Sequence, residues 1–131
     1  MVTWLRYLIA IVVAFHGFIY IPYGLAAISK IKEWKGSSWI LGNIISGERL
    51  MSIVKPLHLI TGIVTISCAI AIGFASDLWR PLAIAAGIFG IAAFASFWDG
   101  QEQQVVPEGG IGAFISLFLI LSVVVFPQAF R

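Results

Sequence analysis

Four long stretches of the chain contain no charged side chain, and this feature limits the possible folds more than any other. They cover residues 7–29, 56–76, 81–98 and 109–130, and each is 18 to 23 residues long. A helix needs about 20 apolar residues to cross a hydrocarbon layer about 30 Å thick. Each stretch has this length, so the sequence predicts four membrane-spanning helices.

The composition leaves no room for a soluble domain beside these stretches. Of the 131 residues, 60% are apolar and 11% are charged, whereas soluble domains carry about 25% charged residues. Backbone polar groups in hydrocarbon must be bonded within the protein, which favours helices. The apolar runs are continuous, unlike the alternating strands of a membrane barrel. We therefore expect an all-α integral membrane four-helix bundle, with residues 1–131 forming a single transmembrane domain.

Tryptophan residues help to set the expected helix ends. We place the spans at about residues 4–27, 52–76, 79–98 and 109–128, with an interfacial connection over residues 30–51. All five tryptophans fall near these ends, as is typical of the aromatic belts at membrane interfaces. The connection is either a short amphipathic element lying in the interface or a plain loop. The tryptophans are Trp4, Trp34, Trp39, Trp79 and Trp98.

The third span is rich in small residues at helical spacing. Ala83 and Gly87 are four residues apart, as are Ala86 and Gly90, and this spacing lets a neighbouring helix approach closely. We expect this face to be the packing centre of the bundle and the surface through which other membrane subunits bind. The lipid bilayer is the other expected partner. The few basic residues stand at span ends, so no nucleic-acid partner is expected.

The distribution of basic residues gives a preference for one orientation. The side of the connection over residues 30–55 carries five basic residues, and the opposite side carries three. Because an excess of basic residues usually faces the cytoplasm, we expect the first side to be cytoplasmic. The expected location is the cytoplasmic membrane, in a multi-pass arrangement. The five are Lys30, Lys32, Lys35, Arg49 and Lys55, and the three are Arg6, Arg80 and Arg131.

Two histidines lie inside the predicted spans, where polar side chains are costly and often functional. His16 stands six residues before Pro22, and His58 stands six residues after the expected start of the second span. At the helical rise per residue, both histidines are about 9 Å from the same end of the bundle. They can therefore face each other at a similar depth on neighbouring antiparallel helices.

Three interpretations of the histidine pair remain open. In the first, the two imidazoles are axial ligands of a b-type haem, and Gly17 and Gly62 leave room for the macrocycle. In the second, a histidine hydrogen-bonds a quinone or other head group, with Tyr20 nearby. In the third, each histidine bonds a neighbouring helix and fixes the packing. The candidate cofactor-binding residues are therefore His16, His58 and Tyr20, and His16 and His58 are metal ligands only if haem is bound.

Other side chains indicate no catalytic chemistry. Cys68 is the single cysteine, so a disulfide within the chain is excluded, and we interpret it as a small packing residue. No carboxylate lies within a span, and Asp99, Glu102 and Glu108 fall in the connection after the third span. The sequence contains no phosphate-binding loop, nucleophile elbow or clustered metal motif. We therefore name no catalytic residue.

Short motifs give the chain a family resemblance. A His-Gly-Phe-Ile-Tyr motif at residues 16–20, a Phe-Trp-Asp-Gly motif at 97–100 and the apolar run at 109–121 resemble the DoxX-like group of small bacterial and archaeal membrane proteins. The resemblance implies a four-helix bundle over nearly the whole chain. For some members it also implies association with quinone-linked oxidation of sulfur compounds or thiols. Many members carry a second histidine soon after the first, in the place that Tyr20 takes here.

The leading functional hypothesis is an accessory or structural subunit of a larger membrane complex, with a link to redox or quinone chemistry left open. The alternative is a self-sufficient protein that binds haem b or a quinone through His16 and His58. A small transporter or a lipid-modifying enzyme is a second alternative, which no residue pattern favours. Whether the chain is an enzyme stays open, although the accessory role argues against it.

Overall fold

The computed structural model of this protein describes residues 2–25, 36–42, 44–104 and 109–130. In this part of the chain the protein is all-helical, with four α-helices and one short 3-10 turn before the last of them. This confirms the predicted all-α class and the number of helices. The helices are α1 (Thr3–Leu25), α2 (Gly47–Gly73), α3 (Trp79–Phe97) and α4 (Gly110–Val125).

Three of the helices, α1, α2 and α3, are long and apolar enough to cross a membrane. The fourth helix has 16 residues, which corresponds to a length of about 24 Å. The largest difference from the predicted bounds is at α2, which begins at Gly47 and contains Pro56. Glu48 in the first turn favours this earlier start, because a carboxylate interacts well with the amino end of a helix.

Some residues used in the sequence predictions cannot be placed. The charge difference that favoured one orientation depends partly on them, so the orientation stays a prediction. The described residues do not include Lys30, Lys32, Trp34, Lys35, Glu108 and Arg131.

The four helices pack in chain order. α1 packs along α2, α2 along α3, and α3 along α4. α1 and α4 complete the bundle but have few close backbone contacts with each other. The seam between α1 and α4 is therefore looser than the other three seams.

Two glycines let α1 and α2 cross closely. A Cβ atom added at Gly17 would lie 3.1 Å from the carbonyl oxygen of Gly62, and one added at Gly62 would lie 3.0 Å from the carbonyl oxygen of Gly17. Such contacts are tighter than side chains tolerate, so both positions need glycine. The prediction that these glycines leave room for a haem is wrong, because the backbone of the other helix fills the space.

The small-residue face of α3 packs inside the chain. Ala83, Ala86, Gly87 and Gly90 are all buried, and a Cβ atom at Gly87 would lie 2.7 Å from the backbone oxygen of Ser116 on α4. The face is therefore a close-packing surface, but α4 of the same chain occupies it. The binding of other subunits stays a prediction, and they would have to bind to a different surface.

Two apolar clusters fill the bundle toward its two ends. In the larger one, the Trp79 ring meets Phe130 edge-on, with the ring centroids 4.7 Å apart. In the smaller one, Leu50 and Val54 of α2 pack near Phe97 of α3. Trp79 is 1% exposed, so this tryptophan belongs to the core and not to an interfacial belt. Ten of the 27 residues of α2 and seven of the 19 residues of α3 are buried, so the two helices contribute to the core in equal proportion.

The connection before α2 packs on the end of α3. The backbone N–H of Trp39 donates to the carbonyl oxygen of Trp98 over 2.6 Å, and the two indole rings lie 5.4 Å apart. Ser37 and Ser46 form an isolated antiparallel bridge. Of the two forms predicted for this connection, the described residues adopt the loop.

Replacing Gly62 by alanine tests the crossing of α1 and α2. The new Cβ atom would lie 3.0 Å from the backbone oxygen of Gly17 on α1, so we expect the free energy of unfolding to fall by about 1–3 kcal/mol. Reversible unfolding in mild detergent measures this change. Gly73→Ala is the control in the same helix, because its Cβ atom would only touch Ala10 at 3.9 Å. Equal stability of the two variants would show that the helices do not cross this closely.

Candidate functional site

A cavity of about 240 Å³ lies between α1, α2 and the start of α4. One side of the cavity consists of aromatic and histidine side chains, and the other side consists of isoleucines and glycines of α4. His16, Tyr20 and His58, the three candidate residues named from the sequence, all line this cavity. The structure thus brings the predicted residues together in one place.

The side chains of α1 reach the cavity because they share one face of the helix. His16, Tyr20 and Tyr23 are spaced by four and three residues, which places them one above the other on a helix. The Tyr20 ring meets the His16 ring edge-on, with centroids 5.1 Å apart, and lies 5.8 Å from the His58 ring. Tyr23 stacks on His58 at 5.9 Å. Tyr20 therefore contacts both histidines.

Glycines of α3 and α4 admit the Tyr20 side chain. A Cβ atom at Gly112 would lie 3.1 Å from the Tyr20 hydroxyl oxygen and 3.3 Å from His16 Cε1. A Cβ atom at Gly90 would also lie 3.1 Å from that hydroxyl oxygen. The hydroxyl group is 3.5 Å from Ser116 Oγ, which is longer than an ordinary hydrogen bond between two hydroxyl groups. Any side chain at Gly112 would press on both His16 and Tyr20.

The ring of His58 is held in one orientation by its own helix. Nδ1 donates a hydrogen bond to the carbonyl oxygen of Val54 over 2.8 Å. In an uncharged imidazole this leaves Nε2 as an acceptor. The ring also meets Phe97 of α3 edge-on at 5.8 Å. His58 therefore has a fixed position and offers one acceptor.

His16 is buried with an unsatisfied nitrogen. The side chain is 5% exposed, and its Nε2 atom has no hydrogen-bond partner among the described residues. Leaving a buried polar atom without a partner costs about 1–3 kcal/mol. This nitrogen belongs to a side chain that lines the cavity, but the atom itself has almost no accessible surface. The imidazole ring must therefore turn before a molecule bound there can supply the missing partner.

The residues around the cavity do not fit a haem held between two histidines. The cavity volume of about 240 Å³ lies below the range of roughly 300–1,000 Å³ found for drug-sized ligands, and a porphyrin is larger than most of these. The Tyr20 ring also contacts both imidazoles and takes space that a macrocycle between them would need. No group of three or more metal-binding side chains occurs in the described part of the chain.

The size of the cavity suits a single substituted ring. In a soluble protein, a cavity of about 150 Å³ takes up one benzene molecule. The volume of about 240 Å³ therefore leaves room for a six-membered ring with small substituents. Ile19, Ile111 and Ile115 give this space an apolar surface, while the histidines and tyrosines supply polar groups at a few points. This combination is typical of small-molecule sites.

Polar and sulfur groups away from the cavity have local roles. Asp99 accepts a hydrogen bond from the backbone N–H of Gln101 over 3.0 Å. Cys68 is buried in the larger apolar cluster, and its sulfur lies 3.7 Å from the carbonyl oxygen of Trp79. The burial of Cys68 agrees with its predicted packing role.

Sequence reasoning identified the residues of α1 and α2 but not those of α4. Gly109 and Gly112 line the cavity, and Gly90 of α3 contacts the Tyr20 hydroxyl group. The sequence carried one signal for α4, which is the cluster of three glycines at positions 109, 110 and 112. Gly109 has a φ of 102°, a backbone conformation that favours glycine.

Adding haem b to the purified protein tests the exclusion of that group. We expect no absorption spectrum of a six-coordinate, low-spin haem, since the cavity is too small and Tyr20 lies against both imidazoles. His16→Ala provides the comparison, and its spectrum should equal that of the unaltered protein. A Soret shift that requires both His16 and His58 would contradict this prediction.

A double-mutant cycle on Tyr20→Phe and Ser116→Ala tests the long contact between the two hydroxyl groups. Hydrogen bonds between membrane helices contribute about 0.6 kcal/mol on average, and a contact of this length should give no more. The cycle is measured by unfolding in mild detergent. Tyr7→Phe, on the same helix with a side chain 51% exposed, is the control. A coupling above about 1.7 kcal/mol, the upper end of such measurements, would disprove the weak contact.

Comparisons with known proteins give no indication of the function, which is therefore inferred from the geometry of the cavity. Comparison of the chain with protein-family models, with curated proteins and with solved structures found no match. The resemblance to the DoxX-like group, together with the activity it implies, therefore stays a prediction.

Proposed function

We propose that this chain is an integral membrane protein that binds the head group of a quinone-type molecule in the cavity between α1, α2 and α4. The observation that supports this most directly is the buried Nε2 atom of His16, which has no partner among the described residues. The cavity volume of about 240 Å³ and its few polar groups fit one substituted ring.

The polar groups of the cavity match the chemistry of a quinone head group. The two carbonyl oxygens of an oxidised ring accept hydrogen bonds, and the Tyr20 hydroxyl group or the Nε2–H tautomer of His16 can donate them. The hydroxyl groups of the reduced ring donate, and the Nε2 atom of His58 can accept, because its Nδ1 atom donates to Val54. The site thus has partners for both forms of such a ring.

The surface of the protein supports membrane embedding. α1, α2 and α3 are long and apolar enough to cross a bilayer. Large apolar side chains point outward along them, such as Phe15, which is 68% exposed, and Ile63, which is 59% exposed. Water would be a poor solvent for such a surface, whereas hydrocarbon suits it. The cavity lies toward the end of α1 and the starts of α2 and α4, which places a head group nearer to one interface than the other.

The accessory-subunit hypothesis is compatible with this site but has lost one of its arguments. That argument named the small-residue face of α3 as the surface for other subunits, and Gly87 and Gly90 contact α4 instead. A ligand site is useful both in a self-sufficient protein and in a subunit. We therefore propose ligand binding as the function and leave assembly as a separate question.

Titration with the tail-less head group of ubiquinone tests the proposal. We expect His16→Phe, which keeps a ring but removes both nitrogens, to weaken binding about tenfold, the equivalent of one hydrogen bond to the ligand. Isothermal titration calorimetry on the protein in nanodiscs measures the affinity. Thermal unfolding shows whether the variant is folded.

Ser67→Ala is the matched control for this titration. Ser67 is half-buried on α2 and is not among the residues that line the cavity. Its hydroxyl group donates to the carbonyl oxygen of Ile63 in the same helix over 2.9 Å. Its loss should not change the affinity. Equal affinity of His16→Phe and the unaltered protein, or no saturable binding to either, would refute the proposed function.

A further inference from the structure

A second cavity of about 490 Å³ lies next to the first, between α1 and α4. It lies between the first half of α1 and the second half of α4, with Ile72 of α2 behind it. Ile115 lines both cavities, so the two spaces meet at this side chain. We call the second cavity the α1–α4 groove.

The α1–α4 groove is lined by hydrocarbon. Leu8 and Val12 of α1 face Phe118 of α4 across it. Ser122 is the one polar side chain among the described residues of the lining, and its hydroxyl group donates to the carbonyl oxygen of Leu119 over 2.7 Å. The groove therefore offers no free hydrogen-bonding group from Ser122, in contrast to the first cavity.

The groove is open toward the outer surface of the bundle. Leu8 is 50% exposed, Val12 is 54% exposed and Phe118 is 62% exposed. These side chains border the seam between α1 and α4, which has few close backbone contacts. A molecule dissolved in a surrounding bilayer can therefore enter the groove from the side without passing through water.

We propose that the α1–α4 groove holds the hydrocarbon tail of the molecule whose head group binds in the first cavity. The ligand would then be a lipid-soluble quinone with a prenyl or alkyl tail. This inference rests on the proposed function. A cavity with a few polar groups next to an almost wholly apolar groove is complementary to a molecule with a polar ring at one end and hydrocarbon along the rest.

The tail contributes to binding chiefly by packing against the groove and by orienting the ligand. Because lipid chains are as apolar as the groove, moving a tail from the bilayer into the groove gains little transfer free energy. Contact with Val12 and Phe118 instead orients the molecule, with its ring near His16 and its tail toward the start of α1. A variant that fills the groove should therefore weaken binding of a tailed quinone and leave a tail-less ring unaffected.

The experiment compares decylubiquinone with the tail-less ubiquinone head group on the full chain in phosphatidylcholine nanodiscs. Val12→Trp fills the groove, and Ile11→Trp is the matched control. Both side chains are 54% exposed on α1, and of these two described residues Val12 lines the groove. Since a quinone partitions into the lipid equally for every variant, the ratio of affinities reports on the protein.

We expect Val12→Trp to weaken decylubiquinone binding about tenfold through overpacking, with no change for the tail-less head group. Ile11→Trp should change neither affinity. If Val12→Trp does not fold, Leu8→Trp replaces it, because Leu8 lines the same groove and is 50% exposed.

Equal decylubiquinone affinity in a folded groove-filling variant and the unaltered protein would overturn the assignment of the tail. The occupant would then be a lipid acyl chain or a second copy of the chain. If the tail-less head group still depends on His16 in that case, the proposed function holds and the tail assignment alone fails. If His16→Phe affects neither probe, the proposed function fails and the tail assignment falls with it.

Discussion

The close approach of neighbouring helices at glycine is the constraint on which the rest of the structure depends. Gly17 and Gly62 bring α1 against α2, and Gly87 and Gly90 bring α3 against α4. The helices within each of these two pairs are therefore close together, whereas α1 and α4 form a looser pair. His16 precedes Gly17 on α1, but its ring points toward α4, where a Cβ atom at Gly112 would lie 3.3 Å from His16 Cε1. The positions of these glycines therefore help to determine where the cavity lies.

Packing of this kind matters more in a bilayer than in water. Lipid chains are as apolar as leucine, so helices in a bilayer associate through close van der Waals contact and through polar groups. The described structure meets most of its polar needs within single helices, as at Thr61 and Thr65, whose hydroxyl groups donate to carbonyl oxygens four residues earlier. The buried Nε2 atom of His16, in contrast, has no hydrogen-bond partner among the described residues.

The sequence predicted the features that depend on its few charged and polar residues. It did not predict the features that depend on its many apolar residues. Charge-free stretches predicted the helices, and the cost of polar groups in hydrocarbon singled out His16, Tyr20 and His58. Which side of an almost wholly apolar helix faces inward is not encoded by polarity, so neither the burial of Trp79 nor the role of Gly112 could be predicted. The predicted bound of the second span, at about residue 52, is later than the start of α2 at Gly47, because a helix can extend past its apolar stretch with residues such as Glu48.

If the protein binds its ligand from a bilayer as proposed, the sideways opening between α1 and α4 changes which concentration governs occupancy. For a site entered from water, the molarity of the ligand decides the fraction bound. For a groove bordered by Val12 and Phe118 and facing lipid, the deciding quantity would be the number of ligand molecules per lipid. Encounter would become diffusion in a plane, and the lipid composition of the membrane would act on occupancy directly.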